Sequence, residues 1–92
     1  MTSAAEQEVA DALDYYLTEG ERVGERFLDH LDKVISRIRE FPRSGNPTGN
    51  DTRSARLSRF PYAVIYRDTE QEIVIVCVCH LHRRPGYWRD RL

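Results

Sequence analysis

The sequence predicts an α+β fold: an N-terminal αα-hairpin packed on a small antiparallel β-sheet of about three strands, with a short C-terminal helical turn. Two stripes of apolar residues at helical spacing fill the first part of the chain. A segment rich in proline, glycine and asparagine, "PRSGNPTGNDT", erases that period, and beyond it short β-branched and aromatic runs take over. At 92 residues the chain has the length of one domain, residues 1–92, and folding buries only about 60–65% of the surface its unfolded form exposes.

The first helix is expected to begin near Ala4, because Ser3 and Glu6 have the S-x-x-E spacing of a capping box. Val9, Leu13, Tyr16 and Leu17, with Ala5 and Ala12 between them, form its apolar stripe. Gly20 is expected to stop it in a left-handed cap. The second stripe, Val23, Phe27, Leu31, Val34, Ile38 and Phe41, repeats at steps of three and four and predicts an amphipathic helix of about five turns. Pro42 ends it, since a residue before proline disfavours the helical region.

The segment after Pro42 is expected to be a long loop. "SARLSRF", "YAVIYRD" and "EIVIVCVCH" then predict three strands of an antiparallel meander, with Pro61 interrupting the first two. Ile73–His80 is apolar on both faces and is expected in the centre of the sheet.

Charge is unevenly placed along the chain. Residues 1–52 carry six Lys/Arg against eleven Asp/Glu, and residues 53–92 carry eight arginines against four acids. Such asymmetry marks either a binding face or a solvated helical surface opposite an arginine-rich sheet. No apolar run approaches the roughly 20 residues a bilayer span needs, and no basic segment leads into an apolar one at the N-terminus. A cytoplasmic location away from membranes is therefore expected.

The chain closes on "HLHRRPGYWRDRL". Arg83, Arg84, Arg89 and Arg91 could neutralise phosphates and Tyr87 and Trp88 could stack on bases, a combination typical of RNA or single-strand binding. Alternatively, the two aromatics tuck under the sheet and the arginines are solvated around them. "CVCHLH" invites a metal, but on a strand Cys77 and Cys79 share one face while His80 points to the other, so their donors do not converge as tetrahedral zinc requires. No metal is expected, and the thiols are read as reduced packing groups. Without a G-x-G-x-x-G, a Walker loop or a G-x-S-x-G, no cofactor is expected either.

The order and spacing of certain pieces carry a family resemblance. Tyr15–Tyr16, Phe27 and Leu28, Pro42, Phe60-Pro61-Tyr62, and His80, Arg83, Pro85, Tyr87 and Trp88 together resemble the RelE/ParE superfamily of type II toxin–antitoxin toxins, especially its ParE-like, plasmid-stabilisation branch. The resemblance implies a toxin that binds its target, DNA gyrase, and is neutralised by a cognate antitoxin. Arg83, Arg84, Tyr87 and Arg89 are then the target-binding candidates. An alternative is a RelE-like ribosome-dependent messenger RNA endonuclease, with His80 as general base, Arg59 and Arg83 as charge stabilisers, and Tyr87 beside them as catalytic candidates. A third is an inactive relative that keeps only antitoxin binding. Two departures bear on these. Superfamily members usually carry a strand before the first helix, which here is absent, through start-site choice or through a smaller sheet that leaves an edge for a partner strand. Ribonuclease members tend to have a basic residue where this chain has Ala63.

Overall fold

The computed structural model describes residues 1–92. Helix α1 spans Ser3–Glu19 and is capped by Thr2, one residue earlier than the Ser3–Glu6 spacing predicts. Thr2 is extended, and its Oγ1 accepts a hydrogen bond from the Ala5 N–H at 3.2 Å. That pairs one of the amides a helix start leaves free.

Gly20 separates α1 from α2, which spans Glu21–Glu40. Its φ of 151° and ψ of 146° lie in an extended region open essentially to glycine, not in the left-handed cap expected. The chain therefore reverses on one residue. Phe27, Leu31 and Ile38 of the α2 stripe are buried, and Gly24 is buried with them against α1. A Cβ at Gly24 would lie 2.5 Å from Cδ2 of Leu17, so any larger residue there would have to push the Leu17 side chain aside. Phe41 departs from the stripe: it caps α2 and is 55% exposed.

The sheet has four antiparallel strands in the order β1-β2-β3-β4, one more than predicted. They are β1 (Asn46–Gly49), β2 (Thr52–Arg56), β3 (Tyr62–Asp68) and β4 (Ile73–His80). The additional strand lies within the expected loop. Asn50 and Asp51, with φ of 53° and 61°, form a two-residue reversal between Gly49 and Thr52, which face each other. Asn and Asp tolerate positive φ, and a tight hairpin needs it at both central positions.

Strand β4 is terminal in the sheet, not central as its composition suggests. It is apolar on both faces because both are covered. On the helical side, Ile75 and Val78 join Phe27, Leu31, Ile38, Val64 and Tyr66. On the other side, Val76 and Cys77 pack with Ile65 and Trp88, which belongs to a 3-10 turn at Tyr87–Arg91. Successive residues Val76 and Cys77 share a face because the pairing shifts: Ile65 faces Cys77 and Tyr66 faces Ile75, leaving Val76 as the extra residue of a β-bulge.

The outer edge of β4 is occupied over its middle, from Ile75 to Val78. Thr2 N–H donates to the Ile75 carbonyl at 3.0 Å, Arg91 Nη1 to the Val76 carbonyl at 3.0 Å, and the Val78 N–H to Glu8 Oε1 at 3.1 Å. The expectation of an open edge for a partner strand therefore fails at β4, where an N-terminal amide and two side chains take the ladder positions.

Candidate target-binding site

The site is built where the chain leaves β4. Leu81 N–H donates to the Pro61 carbonyl and Arg83 N–H to the His80 carbonyl, at 2.8 and 3.1 Å, folding the tail back beneath the sheet. Gly86, at φ 77°, opens the 3-10 turn in a left-handed conformation. Trp88, 4% exposed, anchors that turn in the lower core. Of the two readings of the aromatic pair, burial is thus the one Trp88 follows. Arg89 lies over the Trp88 ring, its Cζ 4.7 Å from the centroid, and donates to the Thr48 carbonyl at 3.0 Å.

Tyr87 is half-buried, and its hydroxyl donates to Glu8 Oε2 and lies 3.2 Å from Cys77 Sγ. Two guanidinium groups flank its ring, Arg83 at 4.0 Å and Arg91 at 5.2 Å from the centroid, within range of cation–π attraction. Glu8, from α1, is the acceptor on which this arrangement converges. Besides Tyr87 and the Val78 N–H, it receives Arg91 Nη1 at 2.8 Å and Nη2 at 3.2 Å.

The electrostatics follow from these contacts. Burial raises the Glu8 pKa, but hydrogen bonds from Arg91, Tyr87 and the Val78 amide outweigh it and hold the carboxyl below its ordinary value. Burial, with Cys77 and Glu8 as neighbours, pushes the Tyr87 phenol well above its usual range. The adjacent Cys79 and burial likewise raise Cys77, so its thiol stays protonated.

His80 lies on the helical side of β4. Its ring meets Tyr62 edge-on at 5.1 Å and His82 at 4.9 Å, and its Nδ1 accepts from the His82 N–H at 3.1 Å. Cys79 packs on the opposite side, with Trp88, and no three His, Cys, Asp or Glu side chains gather in a metal-binding cluster.

Two clefts adjoin the tail. One, of about 250 Å³, opens between α1 and β4 and is lined by Glu8, Asp11, Tyr62, His80, Arg83 and Tyr87, among others. The second, of about 280 Å³, lies on the sheet face away from the helices, where Arg56, Arg83, Arg84 and Arg89 surround Ala63 and Trp88. His80, Arg83 and Tyr87 thus come together at both clefts, and Arg84 and Arg89 at the second. Arg59 lines neither; it sits exposed in the β2–β3 connection at φ 66°. Two participants escaped the sequence reading. Arg56 sits at the end of β2, across the cleft from the tail. Glu8 is one of several acids on α1, and nothing in its local sequence marks it.

A helical hairpin over a four-stranded antiparallel sheet, with an arginine-rich tail closing the opposite face, is the architecture expected of the RelE/ParE toxins. Residues 1–85 match the family described as ParE toxin of type II toxin–antitoxin system, parDE, and the chain belongs to that family. It is a ParE-like toxin of a type II toxin–antitoxin system, a class that works with a cognate antitoxin. The match ends at Pro85, so Tyr87, Trp88, Arg89 and Arg91 lie beyond the matched residues. No curated protein matches the chain. No helix is long and apolar enough to cross a membrane.

Proposed function

We propose that this toxin arrests growth in the cytoplasm by binding its target through the tail, that the target is DNA gyrase, and that the cognate antitoxin neutralises it. Arg83, Arg84 and Arg89 supply charge at the contact surface, and the Tyr87 ring supports Arg83. The observation that carries a binding role is the engagement of Tyr87: its hydroxyl is spent on Glu8 and Cys77, and its pKa is displaced upward, away from the near-neutral range that favours general acid–base work. The separation of Arg59 from His80, Arg83 and Tyr87, and the apolar Ala63 on the floor of the basic cleft, also weigh against the messenger RNA endonuclease. Exposed arginines around a cleft suit recognition of an acidic protein surface, where arginine is a frequent anchor.

Two assays decide it. Expressed without antitoxin, the protein should block growth with filamentous cells and a DNA-damage response, and purified protein should inhibit gyrase supercoiling while messenger RNA stays intact. Ribosome-dependent cuts within codons, found by primer extension with normal supercoiling, would overturn this reading in favour of the endonuclease. Silence in both assays with tight antitoxin binding would identify an inactive relative.

A further inference from the structure

The contacts of Glu8 assign it more than stability. It stands on α1, yet its carboxylate accepts from Tyr87 and Arg91 of the 3-10 turn and from the Val78 amide of β4. Its side chain is 15% exposed and that of Arg91 26%, so the pair is partly shielded from water, where charge-assisted hydrogen bonds hold geometry better than at an open surface. Arg91 also donates to the carbonyl of the bulged residue Val76. The two arginines over the Tyr87 ring therefore differ: Arg91 is held through both terminal nitrogens of its guanidinium, whereas Arg83 packs on the ring and is otherwise exposed. The ring is the support that orients Arg83 at the rim of both clefts, and Glu8 fixes the ring.

Resting on the reading of the tail as the contact surface, we infer that Glu8 is a positioning residue for target binding: through Tyr87 and Arg91 it sets the direction in which Arg83 is presented. Trp88 holds the tail backbone independently, through burial against Ile65, Val76 and Cys77. Loss of the Glu8 carboxylate therefore disorders the presented side chains without undocking the turn.

The experiment compares Glu8→Gln, Glu8→Ala and Arg83→Ala with the wild type in full-length protein. Emission from Trp88, the chain's single tryptophan, reports docking of the turn. Proton NMR of the Arg83 side chain reports stacking, because protons over the Tyr87 ring are shifted upfield. Potency is read as the concentration that half-inhibits gyrase supercoiling, with growth arrest on induction as a readout independent of the target. In Glu8→Ala the Arg83 protons should move to solvent-exposed positions and potency should fall roughly 10- to 100-fold, the range for losing hydrogen bonds to a charged group. Should Glu8→Ala also shift Trp88 emission, Glu8→Gln keeps an acceptor for the Val78 amide while removing the charge that holds Arg91, and the same two changes are expected with Trp88 still buried. Arg83 protons that stay upfield in both variants would overturn the inference. So would full potency in Glu8→Gln when Arg83→Ala is weak, and in that case the binding role of the tail survives. If Arg83→Ala and wild type are equally potent, it is the reading of the tail as contact surface that falls, and the role assigned to Glu8 falls with it.

Discussion

Tyr66 is completely buried, yet it carries a hydroxyl that water cannot reach. The group is satisfied by two backbone positions: it donates to the Pro42 carbonyl at 2.6 Å and accepts from the Gly45 N–H at 3.1 Å. It thereby pins the segment between α2 and β1 onto the sheet. Tyr66→Phe leaves the buried Gly45 amide and the half-buried Pro42 carbonyl without this partner, and should cost about 1–3 kcal/mol in denaturant unfolding. Glu8 obeys a different rule, because its effect depends on charge. Its pKa lies below the ordinary 4.5, so its contribution to stability is complete above that value and is lost as pH falls through the lower folded value. The titratable side chains in hydrogen-bond contact with it are Tyr87 and Arg91 on the 3-10 turn and Cys77 on β4, and Asp11, Tyr62, His80 and Arg83 share its cleft. Arg91 keeps its charge throughout, and Tyr87 and Cys77 stay protonated through this range, so among the contacting groups the transition belongs to Glu8. The melting-temperature difference between wild type and Glu8→Gln should be constant from neutral pH down to about 4.5 and shrink below it. A difference independent of pH would contradict this. At this scale the sequence drew attention to His80, Arg83, Arg84, Tyr87 and Arg89 as candidates, because they crowd one short segment. It could not reveal Glu8 or the Tyr66 hydroxyl, whose partners lie 69 or more and 21 or more residues away.

Among the elements, α2 was the most legible, since one apolar period runs through its length and proline marks its end. The β1–β2 hairpin was missed for a physical reason. A four-residue edge strand containing Pro47 and Gly49 has no apolar alternation to display, and its pairing rests on the reversal at Asn50–Asp51. That turn can be tested directly. Both residues sit at positive φ, where a β-branched side chain meets steric conflict of about 1–2 kcal/mol, whereas glycine has none. Asp51→Val should therefore lower stability by about that amount, and Asp51→Gly should be neutral or stabilising, both measured by urea unfolding. Equal effects of the two substitutions would argue against a turn with two positive-φ residues. The bulge at Val76 was also beyond a pattern argument, because strict alternation predicts opposite faces for Val76 and Cys77. The structure puts both against Trp88, and it is this shift that offers the Val76 carbonyl to Arg91.

At the scale of the whole molecule, the charge asymmetry of the sequence becomes a spatial division. The acidic half forms the helical layer and the edge strand β1, and the basic half supplies nearly all of the other three strands and the tail that closes the far side. With extents of 39 × 27 × 20 Å, the molecule is two layers deep, and only 18 of its 92 residues are buried. Tyr15 and Leu17 on α1 and Phe41 at the end of α2 remain between 45% and 57% exposed. Covering such side chains is a source of binding energy that the isolated toxin cannot use, at about 25 cal/mol for each Å² removed from water. Because an antitoxin recognises the folded toxin, it must also shift the folding equilibrium. At a free concentration of 100 times its Kd the added stability is about 2.7 kcal/mol. For a domain of this size, where each kcal/mol moves the midpoint by about 4–8 °C, the melting temperature should rise on the order of 10–20 °C. Thermal unfolding of the toxin alone and with the product of the adjacent reading frame checks this, and an unchanged midpoint would remove that product as the partner. The same titration in Arg83→Ala and in Tyr15→Ala then separates the faces. If the helical layer holds the antitoxin, the shift survives in Arg83→Ala and shrinks in Tyr15→Ala, while potency against the target shows the opposite dependence. Neutralisation would then act from the side of the molecule away from the tail, and a shift lost in Arg83→Ala would instead mean that antitoxin and target compete for the same arginines.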